Sequence, residues 1–234
     1  MSDTGDAGER GDAGDTGDSG VAGDSGEIDD LAAIDDLSDL DDLASFEDDG
    51  PVVQTRFKLL VSAPDLGDDN FDQTVVLIME HDSDGALGLV LNRPSSTEVS
   101  EHLPDLTPLT VSPPVFFVGG PVSIGGLLAL GRRRLGAETR NVAPIDGPLV
   151  MVDPEALVNG EVEGIDAVRL YTGYSGWSAG QLDAELTSGA WHLVSALPDD
   201  VLCVEPDSLW RSVMKRQGGR MASQALYPDD LSSN

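Results

Sequence analysis

The sequence predicts a single domain of mixed α/β (α+β) class, with antiparallel strands at its centre, helices between and after them, and an acidic tail in front. Three observations carry this. Two almost uninterrupted apolar runs of strand length, Val75 to Met79 and Leu87 to Leu91, flank a polar turn whose Asp84-Gly85 pair suits a hairpin. Helix signals stand further on: Asp153 and Pro154 as N-cap and first helical residue, then an apolar stripe of Leu209, Trp210, Val213 and Met214 within Pro206 to Gln217. The composition changes near residue 50, and the remaining length is that of one domain.

Residues 1 to 50 hold 18 of the 43 acidic residues against Arg10 alone, a net of −17 in a chain of −30. Glycine recurs at every third position from Gly5 to Gly26. The spacing has the form of a collagen repeat, but eight glycines are few, no proline accompanies them, and like charges on three strands would repel. A disordered acidic tail is therefore expected. From Ile28 to Phe46 apolar residues are spaced by three with acids between, a pattern that winds around a helix axis instead of making one stripe. Residues 28–46 are read as a disordered or transiently helical segment, or as a protein-docking segment that folds in a partner's groove. The start of the chain has no apolar signal-peptide core, and no run approaches the roughly 20 apolar residues of a membrane span. The bases form two local clusters, Arg132, Arg133, Arg134 and Arg140, then Lys215, Arg216 and Arg220, with no stripe for a phosphate backbone. A cytoplasmic protein touching neither membrane nor nucleic acid is expected.

The domain, taken over residues 51–220, opens with a strand at Phe57 to Ala63 and a polar loop from Pro64 to Asn70. The hairpin follows, its strands central and covered on both faces. Gly88 within the second strand calls for a bulge or a close backbone approach. Asn92 and Arg93 stand at its exit, where Pro94 holds Arg93 extended. Ser95 with Glu98 has the form of a capping box and predicts a short helix through Leu103. Pro104, Pro108, Pro113 and Pro114 enforce an irregular crossing to a strand at Val115 to Val118; Gly119, Gly120 and Pro121 then make a tight turn before Gly125 to Leu130. Leu149 to Val152 is a strand and the helix from Pro154 ends near Gly160. Ala167 to Thr172 is a strand leading to a glycine-rich loop with Tyr174 and Trp177, which feeds a helix from about Gln181 whose free N–H groups suit an anion. Trp191 to Ala196 is the next strand, the helix Pro206 to Gln217 stops at Gly218, and residues 221–234 are expected to fray.

No motif names a reaction, a metal or a cofactor. Glu80, Asp82, Asp84 and Gly85 imitate the start of an EF-hand, but its twelfth position falls on Leu91. Ser175 lacks the second glycine of a nucleophile elbow, since Trp177 stands there, and is read as a turn residue. His81, His102 and His192 lack metal spacing, and Cys203, alone in an apolar strand, is read as an inert buried thiol. Arg93 either pairs with a loop acid such as Asp68 or Asp82 or holds a bound anion; the excess of acids favours the pairing. Trp177 is read as a plug over the core before a stacking platform.

Three blocks, NFDQTVVLIMEHDSDGALGLVLNRP at 70–94, FFVGGPV at 116–122 and GYSGWSAGQLDAEL at 173–186, closely resemble the YqgE/AlgH family over about residues 55 to 217. The resemblance implies a bacterial, cytoplasmic protein with one α/β domain, a central, largely antiparallel mixed sheet curling toward a barrel, and helices packed outside. Some members of that family are labelled transcriptional regulators, with no helix-turn-helix behind the label. The pattern falls on Asn70, Phe71, Gly85, Gly88, Asn92, Arg93, Pro94, Gly119 to Pro121, Gly173, Tyr174, Gly176, Trp177 and Gly180 to Leu182. It departs at Asp69 and Ser178, where proline and glycine are usual, at Gln73, where arginine is common, and at Met79, where some members have cysteine, so Met79 argues against thiol chemistry. The expected function is non-catalytic binding of a protein partner or small anionic ligand, without cofactor and with an indirect regulatory role. Its expected surface is Asn92, Arg93, Gly119, Gly120, Tyr174, Trp177 and Gln181; the alternative is an enzyme acting on an anionic substrate there.

Overall fold

Residues 55–64 and 71–226 are described by the structure, a computed structural model. The readings of residues 1 to 50, of the docking segment 28–46, of Asn70 and most of its loop, and of the chain beyond 226 lie outside the described residues. In chain order the elements are β1 (Lys58–Ser62), β2 (Val75–His81), β3 (Gly85–Val90), β4 (Pro94–Glu98), α1 (Val99–His102), a 3-10 helix (Pro104–Leu109), β5 (Val115–Val118) and β6 (Val122–Arg133). They continue with β7 (Val142–Pro144), β8 (Leu149–Val152), α2 (Pro154–Val158), β9 (Ile165–Ser178), α3 (Gln181–Ser188), β10 (Trp191–Ser195), α4 (Pro198–Val201), α5 (Pro206–Gln217) and α6 (Gly219–Gln224).

The strands make one curled, largely antiparallel sheet in the order β10-β1-β2-β3-β9-β6-β8-β7, and β5 joins it parallel to β9 and antiparallel to β4. β9 is its spine. One edge of β9 bonds β6 from Ile165 to Tyr174, while the other meets Thr110 at Val168, β5 at Tyr171 and Thr172, and β3 from Ser175 to Ser178.

The hairpin is the β2–β3 pair, closed by Asp82, whose Oδ1 accepts the amides of Asp84 and Gly85 at 2.7 and 3.1 Å. Val75 to Ile78 are wholly unexposed because both faces of the strand are covered, Leu77 by one cluster and Val76 and Ile78 by another. The register shifts between Ile78 and Glu80, opposite Gly88, and a Cβ on Gly88 would stand 2.6 Å from Val76 Cγ1. Bulge and close approach both occur there, the extra residue lying in β2.

On one face of the sheet α5 sets Leu209, Trp210, Val213 and Met214 against Leu59, Val61, Leu77 and Leu89. Each such apolar side chain contributes about 1.5–3 kcal/mol relative to exposure. The Trp210 indole donates to Ser62 O at 3.0 Å, so its polar edge is satisfied in the same contact. The opposite face packs Leu60, Val76, Ile78 and Val90 under Leu182 of α3, with Trp177 and Trp191. A third cluster lies where α1, the 3-10 helix and α2 bring Val99, Leu106 and Leu157 to β5, β6, β8 and β9. Asp153 caps α2 as its sequence predicts, accepting Ala156 N at 3.0 Å.

Four local expectations are corrected. Residues Ser95 to Glu98 are strand, and helix begins only at Val99: Pro94 and Glu98 pair with β5, and Ser95 Oγ accepts the amide of Thr97 instead of capping a helix. The glycine-rich loop after Thr172 is strand to Ser178, and Ser175 is a buried strand residue whose hydroxyl donates to Gly119 O at 3.3 Å. The glycines serve close packing of backbones: Gly173 has φ +68°, and a Cβ on it would lie 2.6 Å from Gly120 O. Cys203 lies in the connection between α4 and α5, not in a strand, because Pro198 starts a helical turn there; it is half-buried, and burial pushes its thiol pKa up. The fraying expected from residue 221 gives way to α6, after which Ala225 is buried in the cluster that α5 completes.

Candidate functional site

Of the residues expected to form one binding surface, all but Gln181 are engaged in joining or packing strands. Asn92 accepts Val75 N at 3.0 Å and donates to Gln73 O at 2.8 Å, closing the start of β2 onto the exit of β3. Half-buried Arg93 donates to Thr74 Oγ1 at 3.0 Å and lies over the Phe71 ring, 5.9 Å from its centroid. Asp82 is not its partner, since that carboxylate closes the turn at the other end of β3; Asp68 is outside the described residues. Gly119 and Gly120 are buried, and a Cβ on either would overlap the β9 backbone at Gly173 or Tyr174, so their close approach is to another strand. Tyr174 packs with the α5 cluster and Trp177 with the α3 cluster, on opposite faces as an odd spacing along a strand requires. Gln181 spans Ser178 and Glu185 at the start of α3.

Trp177 is 7% exposed, which makes it the plug. Its indole N–H and that of Trp191 both donate to Glu185 Oε2, at 2.8 and 2.7 Å. Thr55 Oγ1, His81 Nδ1 at 2.8 Å, and Asp183 Oδ2 at 3.6 Å from His81 Nε2 line up like a hydroxyl–imidazole–carboxylate relay. The Thr55 residue is only 2% exposed, so this hydroxyl ties the chain to β2 and offers no accessible nucleophile. Arg169, which sequence reading passed over, is unexposed on β9; its Nη2 donates to Ser112 O at 2.9 Å, and its guanidinium lies 4.2 Å from the Phe117 centroid. Its Nε and Nη1 have no hydrogen-bond partner among the described residues, and burial pulls its pKa down.

Two concave sites are lined by arginine. One, of about 740 Å³ beside the ends of β6 and β9, is bordered by Arg132, Arg133, Leu135, Glu138, Pro148 and Asp166. Arg132 is spoken for, donating to Asp166 at 2.8 Å, whereas Arg133 makes no ion pair among the described residues; Leu135 beside it is fully exposed. The other, of about 540 Å³, lies among the end of α3, β10 and α6, lined by Ser188, Gly189, His192, Arg220, Met221 and Gln224 with Pro64. Of the residues that line it, His192 and Gln224 each have one polar atom, Nε2 and Oε1, that is closed to solvent and has no hydrogen-bond partner among the described residues. Burial, then the charge of Arg220, hold the His192 pKa below its usual value. Arg220 and Gln224 stand one turn apart on α6, but no sequence spacing joins them to His192; the legible signal was only that Arg220 is one of 13 bases against 43 acids. Among the described residues no group of three His, Cys, Asp or Glu is placed to hold a metal.

A family model described as DUF179, AlgH-like, matches residues 59–222. A UPF0301 protein of Streptomyces coelicolor is 43% identical over 182 residues, covering 76% of this chain and 94% of its own. A UPF0301 protein of Mycobacterium avium is 41% identical over 180 residues, covering 75% of this chain and 89% of its own. Among solved structures, a crystal structure of a Corynebacterium diphtheriae protein superposes with TM-score 0.66 and 27% identity, covering 79% of this chain and 97% of that one. The solution structure of the AlgH protein from Pseudomonas aeruginosa superposes with TM-score 0.56 and 28% identity, covering 79% and 100%.

Proposed function

The chain belongs to the AlgH-like family, DUF179, and on that premise we propose that it is a non-catalytic cytoplasmic binding protein for a small anionic ligand or an acidic partner, with an indirect regulatory role. The observation that supports this reading is that Arg133 and Arg220, in a chain of net −30, each line a concave site without an ion pair among the described residues. With acids in such excess, an arginine in a pocket has every opportunity to pair within the fold. Leaving it open suits a negative charge that arrives from outside. These pockets are preferred to the surface around Asn92 and Arg93, where both polar atoms of the Asn92 side chain and Nη2 of Arg93 already bond to residues 73–75 at the entry to β2. Regulation, on this reading, does not pass through DNA contact: the net charge opposes a phosphate backbone. No described helix is long and apolar enough to cross a membrane.

The test is a thermal-shift screen of the full chain against small carboxylates, phosphates and acidic peptides, repeated on Arg133→Ala and Arg220→Ala. A ligand at 100 times its Kd stabilises by about 2.7 kcal/mol, a readily measured rise in Tm. The expected result is at least one anion that shifts the native protein and fails to shift one of the variants. A panel without a single shift overturns the reading, and consumption of a hit by the protein replaces it with the enzymatic one.

A further inference from the structure

Within that reading, and resting on it, the two arginine-lined pockets differ in what surrounds the charge. Arg133 shares its pocket with Glu138 and Asp166, whereas no carboxylate lines the pocket among α3, β10 and α6. There Arg220 is exposed and makes no ion pair among the described residues, and half-buried Ala63, Pro64, Ala190 and Met221 add apolar wall. A base beside apolar surface fits a partner that carries acids and apolar side chains together. The chain itself has such a segment. Residues 28–46, outside the described residues, contain seven aspartates and no base, with an apolar residue at every third position from Ile28 to Phe46.

We propose that residues 28–46 dock onto this pocket, an aspartate on Arg220 and a neighbouring leucine or isoleucine against Met221 and Pro64, so that the chain's own acidic segment is the partner that outside anions must displace. The place where the described chain begins supports the reach. Thr55 leads into β1, whose end meets the pocket: Val61 pairs with His192, and Ala63 N donates to Ala190 O at 3.0 Å. Eight residues separate Thr55 from Ala63, at most about 28 Å of chain. Leu37, in the middle of the segment, stands eighteen residues before Thr55, and that length spans up to about 60 Å. The segment therefore reaches the pocket with length to spare. A single ion pair at an exposed guanidinium is weak, so the apolar contact and the tether supply what the pair lacks. A carboxylate from outside then binds at Arg220 only by displacing the segment, which makes this pocket responsive to anything that captures the tail.

The experiment uses the full chain carrying Cys203→Ala, with a nitroxide spin label on Ser38→Cys. The label is expected to broaden the resonances of Met221 and Ala190 and to spare Leu135 beside Arg133. Arg220→Ala, an exposed position, is expected to abolish the broadening, as is replacement of the seven aspartates by asparagine. A synthetic peptide of residues 28–46 is expected to bind the asparagine variant at least about tenfold tighter than the native chain, whose own segment competes. Broadening centred on Leu135, broadening indifferent to Arg220→Ala, or none at all overturns the inference. So does broadening that arises between chains, seen when isotope-labelled protein without nitroxide is mixed with spin-labelled protein. If the peptide or succinate binds the asparagine variant through Arg220 while the tethered segment leaves the pocket untouched, this inference fails and the general reading stands. If neither probe binds through Arg220 or Arg133, both fail.

Discussion

Arg93 and Arg169 each lie over an aromatic ring, at 5.9 and 4.2 Å from the centroid, yet they call for opposite outcomes on replacement. Arg93 is half-buried and bonded to Thr74 Oγ1, next to Asn92, which joins β2 to β3. Arg93→Ala removes that bond and the cation–ring contact, and is expected to lower stability by about 1 kcal/mol, read as the midpoint of urea unfolding. An unchanged midpoint together with a lost anion response would make Arg93 a ligand contact instead. Arg169 is unexposed with two nitrogens that have no hydrogen-bond partner among the described residues, so much of the cost of desolvating its charge goes uncompensated. Arg169→Met keeps the packing on Phe117 and removes the charge. Its expected effect is a midpoint within about 1 kcal/mol of native or above it, because apolar replacement of a buried ion is often neutral or stabilising. A loss of about 3 kcal/mol would show that the guanidinium holds the interior together.

Among the elements, α5 was legible to its ends: Pro206 opens it, the apolar stripe faces the sheet and Gly218 closes it. Its sequence places Arg216 in the last turn, where the helix dipole welcomes a base, but gives no hint of its partner. The structure sets Arg216 against Asp200 of α4, whose other oxygen accepts Leu197 N at 2.7 Å, and lets its Nη2 reach Ser195 O at 2.9 Å. One guanidinium thereby ties α5 to α4 and to the end of β10. Asp200 is 5% exposed, so Asp200→Ala leaves an arginine short of its carboxylate and the start of α4 without its cap. About 2 kcal/mol is expected, less than for a fully buried pair because the Arg216 side chain keeps 26% of its exposure. A double-mutant cycle with Arg216→Ala measures the coupling, and additive losses would show that the two act separately. Residues 95–98 show the reverse case. The Ser-x-x-Glu pattern was a sound local signal, and pairing with β5 outweighed it.

At the scale of the whole molecule, the net charge of −30 governs what approaches, and the few groups that titrate near neutrality govern how stability follows pH. His192 has its folded-state pKa below the usual 6.5, through burial first and Arg220 second. The unfolded chain then takes up a proton at a pH where the folded one does not. The His192 contribution is therefore fully present above about pH 6.5 and is lost as pH falls through the lowered folded-state value, below which both states are protonated. Carboxylates titrate too, so the comparison is between native protein and His192→Gln, each unfolded by urea at pH 7.5 and at pH 5.5. The native midpoint is expected to fall further, relative to the variant, at the lower pH. A difference that does not change with pH would mean His192 titrates as it does in an unfolded chain.

The sequence by itself determined the class of fold, the central hairpin, the Asp153 cap and the extent of α5, because each rests on contacts within a few residues or on a periodicity that local burial imposes. Asn92 and Arg93 were legible as a strand exit, and Gly119 and Gly120 as a place of close approach, for the same reason. Only the tertiary structure decided what lay close. Gly120 meets Tyr174, Gly88 meets Val76, and one face of β9 carries Tyr174 while the other carries Trp177. The pocket of His192, Arg220 and Gln224 belongs to this second kind. Arg220 and Gln224 share a face of α6, but His192 comes from β10, and their meeting depends on the packing of β10 and α6, which a linear pattern of charges and apolar residues does not encode.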